Sequence, residues 1–436
     1  MKKSIGFASY PDYSGNSKAL FEDMKSMNIE KYDLIWFCKE KNIADRLNKN
    51  GINAIWDKSE SFKKEFDNVK IMINTHDYYM DIKNDNQFFI NLWHGLGLKK
   101  AGAFLENEMD WNFEFSSKND YLIGTSEFGR MVFLFFFSMP LYRVKQYPQA
   151  RYKWLFENNG KSNLSKILKK DLSIYNKIIM YAPTFKSGLG RDDATINTNN
   201  ILNLNNYDEQ KLIQFLEKNN ILLVVKLHPS EQNKIKEIQT NNIIELKDED
   251  MLNEFITINE VLDGIDLLIS DYSSIYVDYI NLTRPVLFLN TDKEEYVKNR
   301  GIIFNSLNFW WMAGPKVHDI DMFIIETEKL LNDGEYYNNE RKLFNELVNG
   351  NEQKNNDKLI EFILNLEKTE IGDTSNYQTA LLEKKNIQLK DEINSLKNEN
   401  NVLINENNCI REEYNKIIYS RSYKIIQKIK RVIKRK

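Results

Sequence analysis

The sequence predicts an α/β protein with two doubly wound domains in series, followed by a long helical segment. Short apolar runs alternate with amphipathic stretches within residues 1–160, and the pattern restarts within residues 161–372. Such runs, separated by helices, are typical of parallel strands covered on both faces. From residue 382 a leucine or isoleucine recurs every seventh residue, which indicates a coiled coil. The chain has 436 residues, 42% of them hydrophobic, which excludes a mainly disordered protein.

Each of the two domains contains five predicted strands. In the first domain they lie at 4–10, 32–38, 70–74, 88–93 and 121–124, with helical patterns at 17–27 and 42–50. In the second they lie at 177–182, 221–227, 243–245, 266–270 and 285–289, with helical patterns at 208–218 and 274–282. Two such domains leave a cleft between the carboxyl ends of their strands, where ligands usually bind.

The heptad segment covers residues 375–420. Its d positions are Leu382, Leu389, Leu396, Leu403, Ile410 and Ile417, and its a positions are Asn386, Ile393, Asn400, Asn407 and Tyr414. Asparagine at an a position weakens the seam but favours a parallel, in-register pair, because the buried amides must face each other. We therefore expect a homodimer through this segment; the alternative is a single long helix packed on its own body.

Residues 421–436 form a basic tail that carries eight Lys or Arg and no Asp or Glu. Because the whole chain has a formal charge of −3, the other 420 residues carry −11. Six apolar residues of the tail fall on one helical stripe, as in a helix that lies on an anionic membrane surface. The sequence thus predicts a peripheral protein on the cytoplasmic face of a membrane rather than a general nucleic-acid binder; a solvated charge run and an RNA-binding tail are the alternatives.

Other features narrow the class of protein. The amino terminus lacks the apolar region of a secretory signal, and no segment is long enough to span a bilayer. The most apolar run, residues 131–141, predicts either a buried helix or one that dips into a membrane interface. Cys38 and Cys409 are the only cysteines, so a disulfide framework and a cysteine-based zinc site are excluded.

Two histidines follow predicted strands, one in each domain. His94 lies in a Trp-His-Gly-Leu-Gly segment, where glycines let the backbone approach a ligand closely, and His228 precedes Pro229. Two imidazoles facing each other across a cleft could supply a general base and a donor that stabilises phosphate. The alternative is that both are structural.

A second group of candidate residues lies where a strand should give way to a helix, at 270–274. Its hydroxyls and amides could bind phosphate, and Asp278, one turn along, could accept from sugar hydroxyls; ordinary helix capping is the alternative. A third segment contains Thr184, Phe185 and Lys186. The sequence has no P-loop, no two-histidine metal helix and no Asp-x-Asp motif, so we expect metal-independent chemistry without a cofactor.

The sequence resembles the CDP-glycerol glycerophosphotransferases, the teichoic-acid and capsule polymerases and primases of bacteria. Its motifs occur along the chain in the same order as in that family. The matching motifs include Trp93-His94-Gly95, Leu227-His228-Pro229 and the 270–274 segment, and the resemblance spans about 330 residues without the heptads. It implies a GT-B fold in which the second domain binds the donor and the acceptor approaches from the first.

The resemblance also implies the roles of individual residues. His94 resembles the base that takes a proton from the acceptor hydroxyl, and His228 the residue that steadies the donor pyrophosphate as CMP leaves. The implied donor-binding residues are His94, Gly95, Leu96, Gly97, Leu98, Arg151, Thr184, Phe185, Lys186, Lys226, Leu227, His228, Ser273, Ser274 and Asp278.

The chain departs from the family pattern at three places. It has Leu96-Gly97 in place of Thr-Pro, Phe185-Lys186 in place of Trp-Arg, and Gln149 where the family has arginine. Arg151 could replace that last cation from two residues away. Because an ammonium cannot grip phosphate bidentately as a guanidinium does, Lys186 leaves CDP-ribitol or another polyol phosphate open as donor.

The sequence therefore predicts a transferase that moves glycerol phosphate, or a related polyol phosphate, from a CDP-activated donor to a lipid-linked, capsular or teichoic-acid acceptor. One alternative is a nucleotide-sugar glycosyltransferase of the same fold. The other is a non-catalytic coiled-coil scaffold that has kept a degenerate transferase body.

Overall fold

The computed structural model describes residues 3–27, 29, 31–97, 100–184, 200–227, 232, 240–289, 291, 301, 311–351, 355–366 and 374–433. The chain divides into two compact units, Met1–Lys368 and Thr369–Lys436. Among the residues that the structure describes, the first unit contains two parallel sheets and the second consists of helices.

The first sheet has the strand order β3-β2-β1-β4-β5-β6-β7, with all neighbours parallel. Its strands are β1 (Lys3–Phe7), β2 (Tyr32–Cys38), β3 (Ala54–Trp56), β4 (Val69–Asn74), β5 (Phe88–Asn91), β6 (Tyr121–Gly124) and β7 (Val144–Gln146). The helices of this part are α1 (Gly15–Ser26), α2 (Lys41–Lys49), α3 (Phe62–Asp67), α4 (Met109–Lys118) and α5 (Glu127–Phe137).

The second sheet repeats this arrangement in the order β10-β9-β8-β11-β12-β13. Its strands are β8 (Lys177–Tyr181), β9 (Ile221–Val225), β10 (Ile243–Glu245), β11 (Leu267–Ser270), β12 (Val286–Leu289) and β13 (Lys316–Val317). Its helices are α6 (Gly160–Leu168), α7 (Glu209–Lys218), α8 (Asp248–Asn253), α9 (Ile275–Tyr279), α10 (Ile320–Asn332), α11 (Asn338–Asn349) and α12 (Asp357–Asn365). In each sheet the order reverses beside the first strand, as in doubly wound folds.

All ten predicted strands are present, and the predicted α/β class with parallel sheets is confirmed. Sequence analysis missed β3, β7 and β13, each of only two or three residues. Segments this short carry little residue periodicity, although β10, also of three residues, was predicted at its observed bounds.

Helix α12 returns to the first sheet although the sequence boundaries assign it to the second domain. Leu359, Ile360 and Ile363 lie in the same buried cluster as Ile5 and Phe7 of β1. Burying such side chains contributes about 1.5–3 kcal/mol each, so α12 stabilises the first sheet. The chain thus crosses between the domains twice.

Buried polar contacts tie the two sheet domains together. The Lys18 ammonium of α1 lies 2.6 Å from Glu260 Oε2 and donates to the Phe255 carbonyl at 2.6 Å. Arg46 of α2 donates to the carbonyl oxygens of Leu252 and Asn253. Because Lys18 is only 2% exposed, its charge depends on these partners.

Helix α5 contains most of the apolar 131–141 run. Val132, Phe133, Phe136 and Phe137 are buried, whereas Met131 and Phe135 are exposed. The helix ends at Ser138, which adopts a left-handed conformation with φ of 48°. One face therefore belongs to the core, as the buried-helix interpretation requires, and the other face is open to solvent.

The second unit contains two helices, α13 (Thr374–Tyr419) and α14 (Arg421–Ile433), with Ser420 between them. The Ser420 hydroxyl accepts from the Tyr423 amide at 3.2 Å, as a helix-capping serine does. Leu396, Leu403 and Ile410 of the heptad stripe are exposed in the single chain. The helices agree with the sequence analysis, and pairing of two chains stays a prediction.

Within the described ranges, the structure has no helix with both the length and the apolar content that crossing a bilayer requires.

Candidate active site at the sheet switch points

The predicted site residues that the structure describes follow strands at or next to the points where the strand order of each sheet reverses. In the first sheet the reversal lies between β1 and β4, and in the second it lies between β8 and β11. Chain segments leave the carboxyl ends of adjacent strands in opposite directions at such a point, which opens a crevice for ligands. His94 follows β5, and Thr184 and Ser273 follow β8 and β11.

The His94 loop is held by Asn91, the last residue of β5. The Asn91 side chain accepts from the Trp93 amide at 2.9 Å and donates to the His76 carbonyl at 2.6 Å. Trp93 has φ of 49° and Gly95 has φ of 127°. A left-handed conformation at a tryptophan costs energy, so the contacts of Asn91 hold a strained turn in place.

The contacts of the His94 imidazole define which nitrogen carries its proton. Nδ1 lies 3.1 Å from the carbonyl oxygen of Thr75. A carbonyl only accepts, so Nδ1 is the protonated nitrogen and Nε2 of the neutral ring has a free lone pair. This is the tautomer that a general base acting through Nε2 requires.

The surroundings of His94 favour its neutral form. His94 is exposed to solvent, but desolvation by the surrounding protein lowers its pKa to about 3, and the nearby charges of His76 and Arg151 act in the same direction. The hydrogen bond to Thr75 opposes this shift. Contact with solvent moderates the desolvation, and the lowered pKa leaves the His94 ring unprotonated at neutral pH, as a general base must be before it receives a proton.

His76 lies directly against His94. The two ring centroids are 4.5 Å apart and the ring planes differ by 11°. Burial lowers the pKa of His76 to about 4, against the opposing effect of the Asp77 carboxylate. Sequence analysis did not select His76, although it follows the 70–74 strand by two residues, the same criterion that selected His94.

Arg151 bridges the His94 loop and the second domain. Its Nη2 donates to the His94 carbonyl oxygen at 2.9 Å and lies 2.7 Å from Asp278 Oδ2. Asp278 also accepts from Asn259 at 2.9 Å. The structure therefore brings together Arg151 and Asp278, and both carboxylate oxygens already have protein partners.

The guanidinium of Arg151 is nearly enclosed. Arg151 is 7% exposed, and its Nε is buried without a hydrogen-bond partner among the described residues. Gln149, which stands where the family has arginine, donates instead to the Leu92 carbonyl at 3.3 Å and contacts Asn16. Asn16 also accepts from the Arg151 amide, which ties α1 to this corner of the site.

Thr184 and Asp271 are hydrogen-bonded to each other at the second switch point. The Asp271 carboxylate accepts from the Thr184 amide at 2.8 Å and from its hydroxyl at 2.7 Å. Ser273 is half-buried and Ser274 is exposed. Ser274 precedes α9, but its side chain makes no capping hydrogen bond. The capping interpretation therefore does not account for the Ser274 hydroxyl.

Other predicted donor-binding residues have varied surroundings. Lys226 lies 2.8 Å from Asp248 Oδ2, and Leu227 and Leu96 are buried. Gly97 is half-buried. The remaining predicted residues are outside the described residues: Leu98, Phe185, Lys186 and His228.

In the described parts of the chain, no three His, Cys, Asp or Glu side chains form a cluster that could hold a metal ion. Metal-independent chemistry stays a prediction from the sequence.

Comparison with known proteins places this chain in a family. Residues 1–365 match the family model described as CDP-Glycerol:Poly(glycerophosphate) glycerophosphotransferase. A teichoic acid poly(glycerol phosphate) polymerase of Bacillus spizizenii is 28% identical over 330 residues, which cover 70% of this chain and 78% of that protein. The teichoic acid ribitol-phosphate polymerase TarL of Staphylococcus aureus is 26% identical, over 67% of this chain and 50% of its own length.

The fold also matches a solved structure. The wall teichoic acid polymerase TagF superposes with a TM-score of 0.68 at 22% identity, over 86% of this chain and 90% of that chain. This likeness supports the GT-B-type arrangement of two sheet domains. On the family match, the chain belongs to the CDP-glycerol:poly(glycerophosphate) glycerophosphotransferases, a family of enzymes, as its motifs predicted.

Proposed function

We propose that this enzyme transfers a glycerol-phosphate or related polyol-phosphate unit from a CDP-activated donor to a lipid-linked, capsular or teichoic-acid acceptor. The acceptor hydroxyl oxygen forms a bond to the polyol-bearing phosphorus, and the bond from that phosphorus to CMP breaks. The hydroxyl proton passes to His94, and CMP leaves with the electron pair of the broken bond.

The observation that carries the proposal is the state of His94. Its Nδ1 donates to a backbone carbonyl, its Nε2 has no hydrogen-bond partner among the described residues, and its environment keeps it neutral. A base in this state can receive the acceptor proton, which typically contributes 10²–10⁴-fold to a rate.

The donor would bind on the second-domain side of the same cleft. Arg151 contacts both the His94 carbonyl and Asp278, so the His94 loop and α9 lie next to each other. The Ser273 and Ser274 hydroxyls at the start of α9 could donate to phosphate oxygens. In this assignment Arg151 and Asp278 shape the donor site, and His228 steadies the pyrophosphate.

We also propose that the enzyme works at the cytoplasmic face of the membrane. Helix α14 carries exposed Ile425, Ile426 and Ile429 beside its basic residues. Exposed Met131 and Phe135 on α5 offer a second apolar contact in the first unit. A basic amphipathic helix is attracted to anionic lipids and can bury its apolar stripe at the interface.

Helix α13 supports the proposal of a parallel homodimer. Its d-position side chains Leu396, Leu403 and Ile410 are exposed in the single chain, and burial of such a stripe against a second copy is what a coiled coil provides.

The test of the activity is a donor screen with the purified full-length chain. CDP-glycerol, CDP-ribitol and common UDP-sugars are each incubated with a lipid-linked acceptor analogue, and the released nucleotide is identified. The proposal predicts CMP from a CDP-polyol. Release of UDP would support the glycosyltransferase alternative, and strong partner binding through 375–420 without any nucleotide release would support the scaffold alternative.

A further inference from the structure

A second histidine, His76, forms one side of the setting in which His94 acts. The ring centroids of His76 and His94 are 4.5 Å apart and their planes are nearly parallel. The Trp93 ring also lies against His94, with centroids 4.1 Å apart. Close ring contact on this scale restricts rotation of an imidazole about its side-chain bonds.

One buried residue, Thr75, holds both imidazoles. Its carbonyl oxygen accepts from His94 Nδ1 at 3.1 Å, and its hydroxyl is 3.0 Å from His76 Nδ1. Thr75 is 2% exposed and directly follows β4, so it fixes both rings at the carboxyl end of that strand. Thr75 and His76 lie in the bend directly after β4, so a regular strand fixes where this segment begins.

We propose that His76 is a positioning residue for the transfer reaction: its ring forms the flat wall that keeps the His94 imidazole oriented with Nε2 open to the acceptor hydroxyl. This inference rests on the proposed function, because it takes His94 as the base. The acceptor proton still passes to His94, and His76 gains and loses no proton in the step.

The charged and titratable groups around the pair are few in the described structure. The Asp77 carboxylate is held by Trp111 Nε1 at 2.9 Å, and Arg151 donates to the His94 carbonyl. The rings of Tyr10 and Tyr78 lie 5.8 Å and 6.1 Å from the His76 ring. None of these groups is itself replaced in the variants below, so a change in the His76 variants follows from the loss of its ring.

Three variants test whether the flat ring of His76 is what positions His94. His76→Ala removes the ring, His76→Phe keeps a flat ring but no nitrogen, and Thr75→Val keeps the backbone carbonyl while removing the hydroxyl. His318→Ala is the matched control, because His318 is an exposed histidine of the second domain outside the site.

For His76→Ala we expect kcat to fall about tenfold or more while donor affinity stays unchanged, since misplacing a base by about 1 Å can cost up to about 10²-fold. His76→Phe should recover most of that loss at neutral pH. It should also move the acid limb of the rate profile to higher pH, because a neighbour that can become charged is gone. Thr75→Val should lose less than His76→Ala, and His318→Ala should match the wild type.

A second readout does not depend on activity. The chain has only four histidines, so ¹⁵N spectra of the histidine-labelled full-length protein can report the tautomer and titration of His94. We expect a single Nδ1–H tautomer in the wild type and in His76→Phe, and its loss in His76→Ala. If no CDP-polyol is turned over, the proposed function fails, while this spectrum still decides the role of His76.

Two results would overturn the inference. One is a His76→Ala variant with wild-type kcat or an unchanged His94 tautomer. The other is a folded His76→Phe variant that is as slow as His76→Ala, or a Thr75→Val variant slower than both, because the flat ring would then not be what positions His94.

Discussion

At the residue scale, desolvation is the main cause of the shifted pKa values of the two histidines in the cleft. His76 is half-buried and His94 is exposed at the cleft, and for both of them desolvation by neighbouring protein atoms lowers the pKa. The unfolded chain has no such effect, so its histidines titrate near 6.5. Below that pH the unfolded state therefore binds more protons than the folded state.

We accordingly expect the free energy of unfolding to fall as the pH decreases from about 6.5 towards 4. Replacing His76 with phenylalanine should reduce that slope, because one of the two groups no longer titrates. Urea unfolding of the wild type and His76→Phe at pH 7, 6 and 5 measures the difference. Equal slopes for the two proteins would mean that His76 is not held neutral by the fold.

Some residues of this site carry a recognisable pattern in the sequence and others do not. His94 could be found because it follows an apolar strand and precedes glycine. His76 meets a similar criterion but lies among polar and aromatic neighbours that carry no recognisable motif. The contact of Arg151 with Asp278 links residues 127 positions apart, and no local pattern encodes such a pair.

At the scale of elements, the buried Lys18 ammonium connects α1 to the second domain. Lys18 is nearly enclosed and pairs with Glu260, which also accepts from the Thr257 amide and hydroxyl. Removing one partner of a buried pair typically costs about 3–5 kcal/mol, because the other charge is left without compensation.

We expect Lys18→Met to lower the free energy of unfolding by about 3–5 kcal/mol, and Lys18→Met with Glu260→Gln to be less destabilised than the sum of the single variants. Lys63→Met is the control, since the Lys63–Asp67 pair is exposed and worth about 1 kcal/mol or less. Denaturant unfolding provides the values. Additive single losses would show that the two charges do not interact.

Elements with strong apolar content were predictable, and short or returning elements were not. Strand β2 was predicted at its observed bounds, because seven mostly apolar residues mark a buried strand. Strands β3, β7 and β13 have only two or three residues each, which leaves little residue periodicity to recognise, although β10 of three residues was predicted. Helix α12 is amphipathic, but its pattern does not reveal which sheet it packs against.

At the scale of the whole molecule, the C-terminal helices would hold the enzyme at the membrane, where a lipid-linked acceptor lies. Deleting residues 421–436 should release the protein from anionic vesicles and leave turnover on a soluble acceptor analogue intact, since each basic residue near such a surface contributes about 1 kcal/mol. Vesicle co-sedimentation at moderate salt measures this. Unchanged binding would instead direct attention to the exposed Met131 and Phe135 on α5.

Pairing of two chains is a separate expectation. A spin label at exposed Cys409 should report a short distance to the same label on a second chain, because a parallel coil puts equal positions side by side. Buried Cys38 would be replaced by alanine to avoid a second label. A monomeric mass at micromolar concentration would contradict a homodimer.

The claim on which the whole account depends is that His94 acts as the base at the switch point. The most direct test measures donor affinity by calorimetry and CMP release on the same preparation of His94→Gln, with His318→Gln as control. We predict unchanged CDP-polyol affinity and a loss of CMP release of at least about a hundredfold. Near-normal CMP release by a folded His94→Gln protein would contradict the account.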